Sequence, residues 1–154
     1  PLSPAQTITY NYQGLEIKLI YCSPFKRGRL IFGEAKDGAL VPYNKYWRMG
    51  ANEATEITFS KDVNFMGKPL EAGSYRMYAV PNDSLWTISL NSEVGKWGYD
   101  EPNYSLDVLK VDVPVKVLPT ITEQFTMAFS NDSSGVNMNI DWDKIRLSVP
   151  IQVR

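Results

Sequence analysis

The stretch LVPYNKYWRMGANEAT, Leu40 to Thr55, carries the densest set of side chains able to do chemistry. It gathers Tyr43, Tyr46, Trp47, Arg48, Asn52 and Glu53 around two small residues, Gly50 and Ala51. A strand that only fills a core alternates apolar and polar positions, and this stretch does not. Small residues let a ligand or another backbone approach closely, and an arginine offers a planar fork to a carboxylate. Two readings fit. In one, Arg48 anchors a ligand, Asn52 orients it and a tryptophan stacks on it. In the other, Arg48 pairs with Glu53 while Asn52 satisfies a turn, and the segment fixes how two sheets join.

A second segment, Trp97-Gly98-Tyr99-Asp100-Glu101-Pro102-Asn103-Tyr104, places aromatics beside amides and acids. Trp97 and Tyr99 in that company suit a sugar, whose C–H face stacks on a ring while its hydroxyls bond the polar groups. Burial as a plug over the end of the fold is the alternative use of the same residues. Glu53, Asp100 and Glu101 are the carboxylates available for acid–base work, but nothing in their spacing sets two of them across a cleft.

The chain contains no histidine. That removes the commonest general base at neutral pH, the usual Ser–His and Cys–His pairs, and most zinc or copper sites. Cys22 is the single cysteine, beside Ile20 and Tyr21, and reads as a buried strand thiol. Asn137, Asn139, Asp141 and Asp143 resemble a row of oxygen ligands, yet they alternate with Val136, Met138, Ile140 and Trp142. That spacing is one solvated strand face. No metal or cofactor is expected.

The elements that must hold these residues are strands. Leu15, Ile17, Leu19 and Tyr21 alternate with polar residues, as do Tyr75, Met77 and Ala79, and Trp86, Ile88 and Leu90. The same rhythm runs through Leu109 to Val117, Phe125 to Phe129, Val136 to Asp143 and Ile145 to Val153. Period two marks strands with one buried face. Turn residues separate the runs at Met66-Gly67, Ala72-Gly73, Pro81 to Ser84 and Asn131 to Gly135. Pro114 and Pro150 lack the ladder N–H and belong at edges or bends. One short helical turn is expected at Pro42 to Trp47. The pattern predicts an all-β fold, a two-sheet antiparallel β-sandwich, jelly-roll-like, with at most short helical turns.

With 154 residues, 44% hydrophobic and 21% charged, the chain is expected to form a single sandwich domain over residues 1–154. Sixteen basic against 17 acidic residues leave a formal charge of −1, which argues against nucleic acid or a membrane surface as partner. A local basic spot stands at Lys26, Arg27 and Arg29. No apolar run reaches the ~20 residues of a membrane span. The chain begins at Pro1 without a Met or a signal-like stretch and is expected to be a processed or trimmed form.

SPFKRGRLIFG (Ser23 to Gly33), LVPYNKYWRMGANEAT, GKPLEAGSYRMYAVP (Gly67 to Pro81) and LWTISLN (Leu85 to Asn91) together carry a resemblance. The chain resembles the bacterial secreted or envelope family catalogued as domain of unknown function 2911, from about Thr7 to Val153. It departs from that family's pattern at Ser23, where an Arg often precedes the proline, at Asn44 for Gly, and at Glu71 for Pro. Glu34 to Ala39 is an atypical insertion. The resemblance implies export and a secreted, periplasmic or envelope location. It implies no activity.

Three functions follow as expectations. The first is a non-catalytic binding module for a carbohydrate or small polar ligand, using a rim pocket of Tyr43, Tyr46, Trp47, Arg48, Asn52 and Glu53, joined by Trp97 and Tyr99. The second is a histidine-free glycosidase working through Glu53 and Asp100 or Glu101, with the two carboxyls roughly 5–9.5 Å apart. The third is a structural or assembly protein meeting a protein partner or a second copy through exposed strand edges.

Overall fold

A computed structural model describes residues 2–154. In chain order the strands are β1 (Ala5–Tyr12), β2 (Leu15–Cys22), β3 (Phe32–Gly33), β4 (Val41–Pro42), β5 (Thr55–Phe59), β6 (Val63–Phe65), β7 (Lys68–Leu70), β8 (Gly73–Pro81), β9 (Leu85–Asn91), β10 (Asp107–Pro114), β11 (Lys116–Asp132) and β12 (Gly135–Val153). Six of them form an antiparallel sheet in the order β1-β2-β5-β8-β9-β10, and four form a second in the order β11-β12-β6-β7. β3 and β4 make a short parallel pair beside them. The expected antiparallel sandwich is thus the observed one. Its larger sheet follows chain order, so the likeness to a jelly roll lies in the two layers and not in the strand order.

The two-residue turns come from backbones held at positive φ. Gln13-Gly14 joins β1 to β2 with φ of 46° and 81°, and Met66-Gly67 joins β6 to β7 with 50° and 79°. Two left-handed residues in succession match the right-handed twist of the strands they connect. The alternation then sends Leu15, Ile17, Leu19 and Tyr21 inward while Glu16, Lys18 and Ile20 face out.

The sheets meet through their aromatic residues. Tyr21 on β2 meets Phe125 on β11 edge to face, with ring centres 5.6 Å apart, and Phe59 meets Phe65 at 6.3 Å. At one end Trp47, Trp86, Trp142, Phe32 and Phe125 converge, with Trp47 stacked on Trp142 at 6.1 Å and edge-on to Trp86 at 5.5 Å. Such pairs are worth about 0.5–1.5 kcal/mol each beyond their burial. This end of the core is the rigid floor for what lies above it.

Within β12, Ser148 donates to Asn139 at 2.7 Å and Arg146 forks Asp141 at 2.8 and 2.7 Å. Side chains nine residues apart on a straight strand would stand about 30 Å apart. The run therefore doubles back on itself, at Asp143, whose φ is +54°. Its two arms are the two strands expected at Val136 to Asp143 and Ile145 to Val153. The expected solvated row is used for cross-arm bonding, and Asp143 pairs with Lys26 at 3.2 Å.

The expected helical turn at Pro42 to Trp47 is not formed. Asn44 is left-handed at φ 64°, and Trp47 exchanges both backbone hydrogen bonds with Ala79, at 2.8 and 3.0 Å. The bridge to β8 commits that backbone to an extended form. The single helical turns lie at Ala35–Asp37 and Tyr104–Leu106 instead. Pro114 ends β10, an edge strand, where a missing N–H costs nothing.

One face of the large sheet departs from simple alternation. Arg76, Tyr78, Ser89 and Asn91 are buried although their strand neighbours Met77, Ala79, Ile88 and Leu90 fill the core on the other side. The segment from Ser92 to Leu106 covers them. Asn91 donates to the Asn103 carbonyl and to Asp107, both at 2.9 Å, and Tyr78 donates to Asp107 at 2.6 Å. Arg76 donates to the Asp100 carbonyl and to the Tyr46 hydroxyl. The cover rejoins the sheet at a bulge between Asp107 and Leu109.

Candidate functional site

The corner from Asn44 to Ala54 is tied down along its length. Thr55 donates its hydroxyl to the Met49 carbonyl at 2.6 Å, Gly98 donates its N–H to the Asn52 carbonyl at 2.9 Å, and Ala54 to the Lys96 carbonyl at 3.1 Å. Met49 and Asn52 are both left-handed, at φ 53° and 57°. Asparagine tolerates that region and methionine does not favour it, so the corner holds some strain, of the kind that concentrates at binding sites. Gly50 takes φ +149°, and a Cβ there would lie 2.7 Å from the Cys22 carbonyl oxygen. Gly98 sits under Arg48, where a Cβ would lie 2.6 Å from Arg48 Cδ and 2.7 Å from the Asn52 carbonyl oxygen. Only glycine fits either place.

These constraints leave an open hollow of about 670 Å³ at the rim of the sandwich. Tyr46, Trp47, Arg48 and Asn52 from the corner line it, with Gly98 and Tyr99 from the cover. Arg27 and Arg29 on the connection from β2 to β3, Leu2 and Ser3, and Trp142 complete its wall. Trp47 is 8% exposed and forms a floor continuous with the core, whereas Tyr99 is 84% exposed and offers a free ring. Tyr46 donates to the Gly98 carbonyl at 2.6 Å and accepts from Arg76 at 2.7 Å. Burial pushes the Tyr46 phenol above its usual range, against the pull of the Arg76 hydrogen bond and of the Arg76 and Arg48 charges.

Five of the eight candidate residues thus share one hollow. Glu53 and Trp97 do not join them. They line a second, shallower hollow of about 360 Å³ with Ile20, Glu56 and Lys96, on the outer face of the large sheet. Tyr43 lines neither, and its phenol is pushed up by burial and then by Asp83 and Glu34. The pairing considered for Arg48 and Glu53 is not made. Ion pairs among the described residues join Lys26 to Asp143, Lys96 to Glu93, Lys110 to Asp107 and Arg146 to Asp141. Glu53 instead stands 4.0 Å from the buried Cys22 sulfur.

Asp100 and Glu101 line neither hollow. Glu101 accepts the Tyr104 hydroxyl at 2.6 Å, and Tyr104 is pushed up to about 12 by burial and by that carboxylate. Among the lining residues that sequence reasoning left out of the site are Arg27, Arg29, Gly98 and Trp142. Arg27 and Arg29 were visible as a basic spot, but Arg48 lies 19 positions after Arg29, and only the fold brings the two segments to one rim.

Neither a curated protein nor a solved structure matches the chain. The sequence profile of one family, described as protein of unknown function (DUF2911), matches residues 3–151, which include every residue of the rim hollow except Leu2. The chain belongs to the DUF2911 family.

Proposed function

We propose that this protein is a non-catalytic binding module, secreted or held at the cell envelope, whose ligand is a carbohydrate or another small polar molecule seated in the rim hollow. The observation that carries this reading is the convergence of Tyr46, Arg48, Asn52 and Tyr99 on one open cavity over a rigid tryptophan floor. A cavity of that size suits a ligand of one or two sugar rings. The Arg48 guanidinium makes no ion pair among the described residues, so its donors are available to a ligand. The envelope location is supported by the family resemblance alone.

A glycosidase would need two carboxyl groups facing one cleft. Among the described residues no carboxylate lines the rim hollow, and this favours binding over hydrolysis.

A thermal-shift screen against neutral sugars, sugar acids and small organic acids tests the reading. A ligand at a hundred times its Kd adds about 2.7 kcal/mol, and a chain of this length gains roughly 2–4 °C in Tm per kcal/mol. At least one probe class should raise Tm by several degrees, and Arg48→Ala should remove the gain. No gain with any class would contradict a binding role.

A further inference from the structure

We infer that the rim hollow is an oxyanion site, whose ligand presents a carboxylate or phosphate to Arg27, Arg29 and Arg48; this rests on the binding reading above and names the charge of its ligand. The lining holds three arginines and, among the described residues, no aspartate or glutamate. The molecule as a whole carries −1, so this concentration of positive charge is local and does not reflect a basic surface.

Two carboxylates beside the Lys26 to Arg29 turn have partners of their own. Glu123 accepts the backbone N–H of Arg27 at 2.9 Å, and Asp143 takes Lys26 at 3.2 Å. Arg29 is held in place by the Lys26 and Phe25 carbonyls, which occupy two of its five N–H donors and leave the others free. Arg27 and Arg48 make no ion pair among the described residues.

A fourth cation stands behind the wall. Arg76 is 1% exposed, donates to the hydroxyl of Tyr46, and has an Nε–H with no partner. Glu56 lies opposite Arg76 in the β5–β8 register, but its carboxylate accepts the Gly95 N–H at 2.6 Å. Arg76 makes no ion pair among the described residues, and its guanidinium is held by a hydroxyl and a carbonyl with the Glu56 carboxylate across the strand pair. Its charge adds to that of the three arginines in front of it.

The backbone favours the same use. Arg27 is left-handed at φ 54° and is followed by Gly28 at 71°, a tight turn closed by the Arg29 N–H on the Lys26 carbonyl at 3.1 Å. Two arginines stand on that turn, and the ligand meets an Arg29 fork placed before it arrives. Charge-assisted forks of this geometry recognise carboxylate and phosphate alike. Tyr99 gives an attached ring a face to stack on.

Isothermal titration of the full chain with D-galacturonate, D-galactose 1-phosphate, inorganic phosphate and neutral D-galactose tests this. At least one anionic probe should bind about tenfold or more tighter than galactose, and raising NaCl from about 0.05 to 0.5 M should erode that advantage. Preference for galacturonate or for the phosphates identifies which oxyanion the site takes. Arg27→Gln, whose side chain makes no hydrogen bond or ion pair among the described residues, and Arg48→Gln should each reduce the advantage severalfold, while Lys36→Gln on the Ala35–Asp37 turn, which lines neither hollow, leaves it intact. Galactose binding as tightly as the anionic probes would overturn the charge preference and leave the binding module standing. An equal loss in Lys36→Gln would reduce the effect to bulk charge and also overturn it. No binding by any probe would overturn both readings.

Discussion

Arg48 is held where it is by a residue that has no side chain. The Cβ of an alanine at position 98 would press on Arg48 Cδ at 2.6 Å and on the Asn52 carbonyl oxygen at 2.7 Å, and only the arginine stem can yield. Gly98→Ala should therefore cost about 1–3 kcal/mol, the usual range for forcing extra volume into a tight site. Urea unfolding should show a lowered midpoint with an unchanged slope. A midpoint equal to that of the unmodified chain would mean that the two segments are not in contact. The types at the corner were legible in the sequence, because Arg48 and Asn52 stand in a stretch that breaks alternation. Gly98 was not. Its requirement arises from a close approach between segments some 50 positions apart, and a lone glycine carries no mark of that.

The cover from Ser92 to Leu106 is the element that makes the site. It buries the outer face of β8 and β9, contributes Gly98 and Tyr99 to the hollow, and encloses Arg76. Asp107 pins its end, accepting from Tyr78 and Asn91 with its side chain 8% exposed. Asp107→Ala leaves the Tyr78 hydroxyl without its acceptor, at a cost of about 1–3 kcal/mol for a buried polar group. Hydrogen exchange should then speed up through Ser92 to Leu106 while β1 and β2 keep their protection. Uniform acceleration across the chain would show that the cover is not a separable layer. In the sequence this segment read either as a sugar platform or as a plug. The fold shows the covering role, with Pro102 buried, and it leaves Tyr99 projecting beside the hollow, where the proposed ligand would meet it. Trp97 faces the second hollow because its backbone bridges Glu53 and turns the ring away from Arg48. That bridge joins irregular segments, where no periodicity announces a partner.

At the scale of the whole molecule, alternation was enough to place most of the core. Ile17, Leu19, Met77, Leu90, Val113, Met138 and Val149 are all within 1% of full burial, and each stood on the inward phase of its run. Alternation cannot say which strands are neighbours, so the chain-order meander and the doubling back at Asp143 became visible only in the fold. Nor can it show that two segments of unlike sequence, Lys26 to Arg29 and Tyr46 to Asn52, meet above a floor of stacked tryptophans. That meeting is the central claim. Nuclear magnetic resonance tests it most directly, by following the backbone amide and arginine Nε–H signals as the most stabilising probe of the thermal screen is added. Perturbations confined to Arg27, Arg29, Arg48, Asn52 and Tyr99 are the predicted result; perturbations centred on Trp97 and Glu53, or none at saturation, would contradict it.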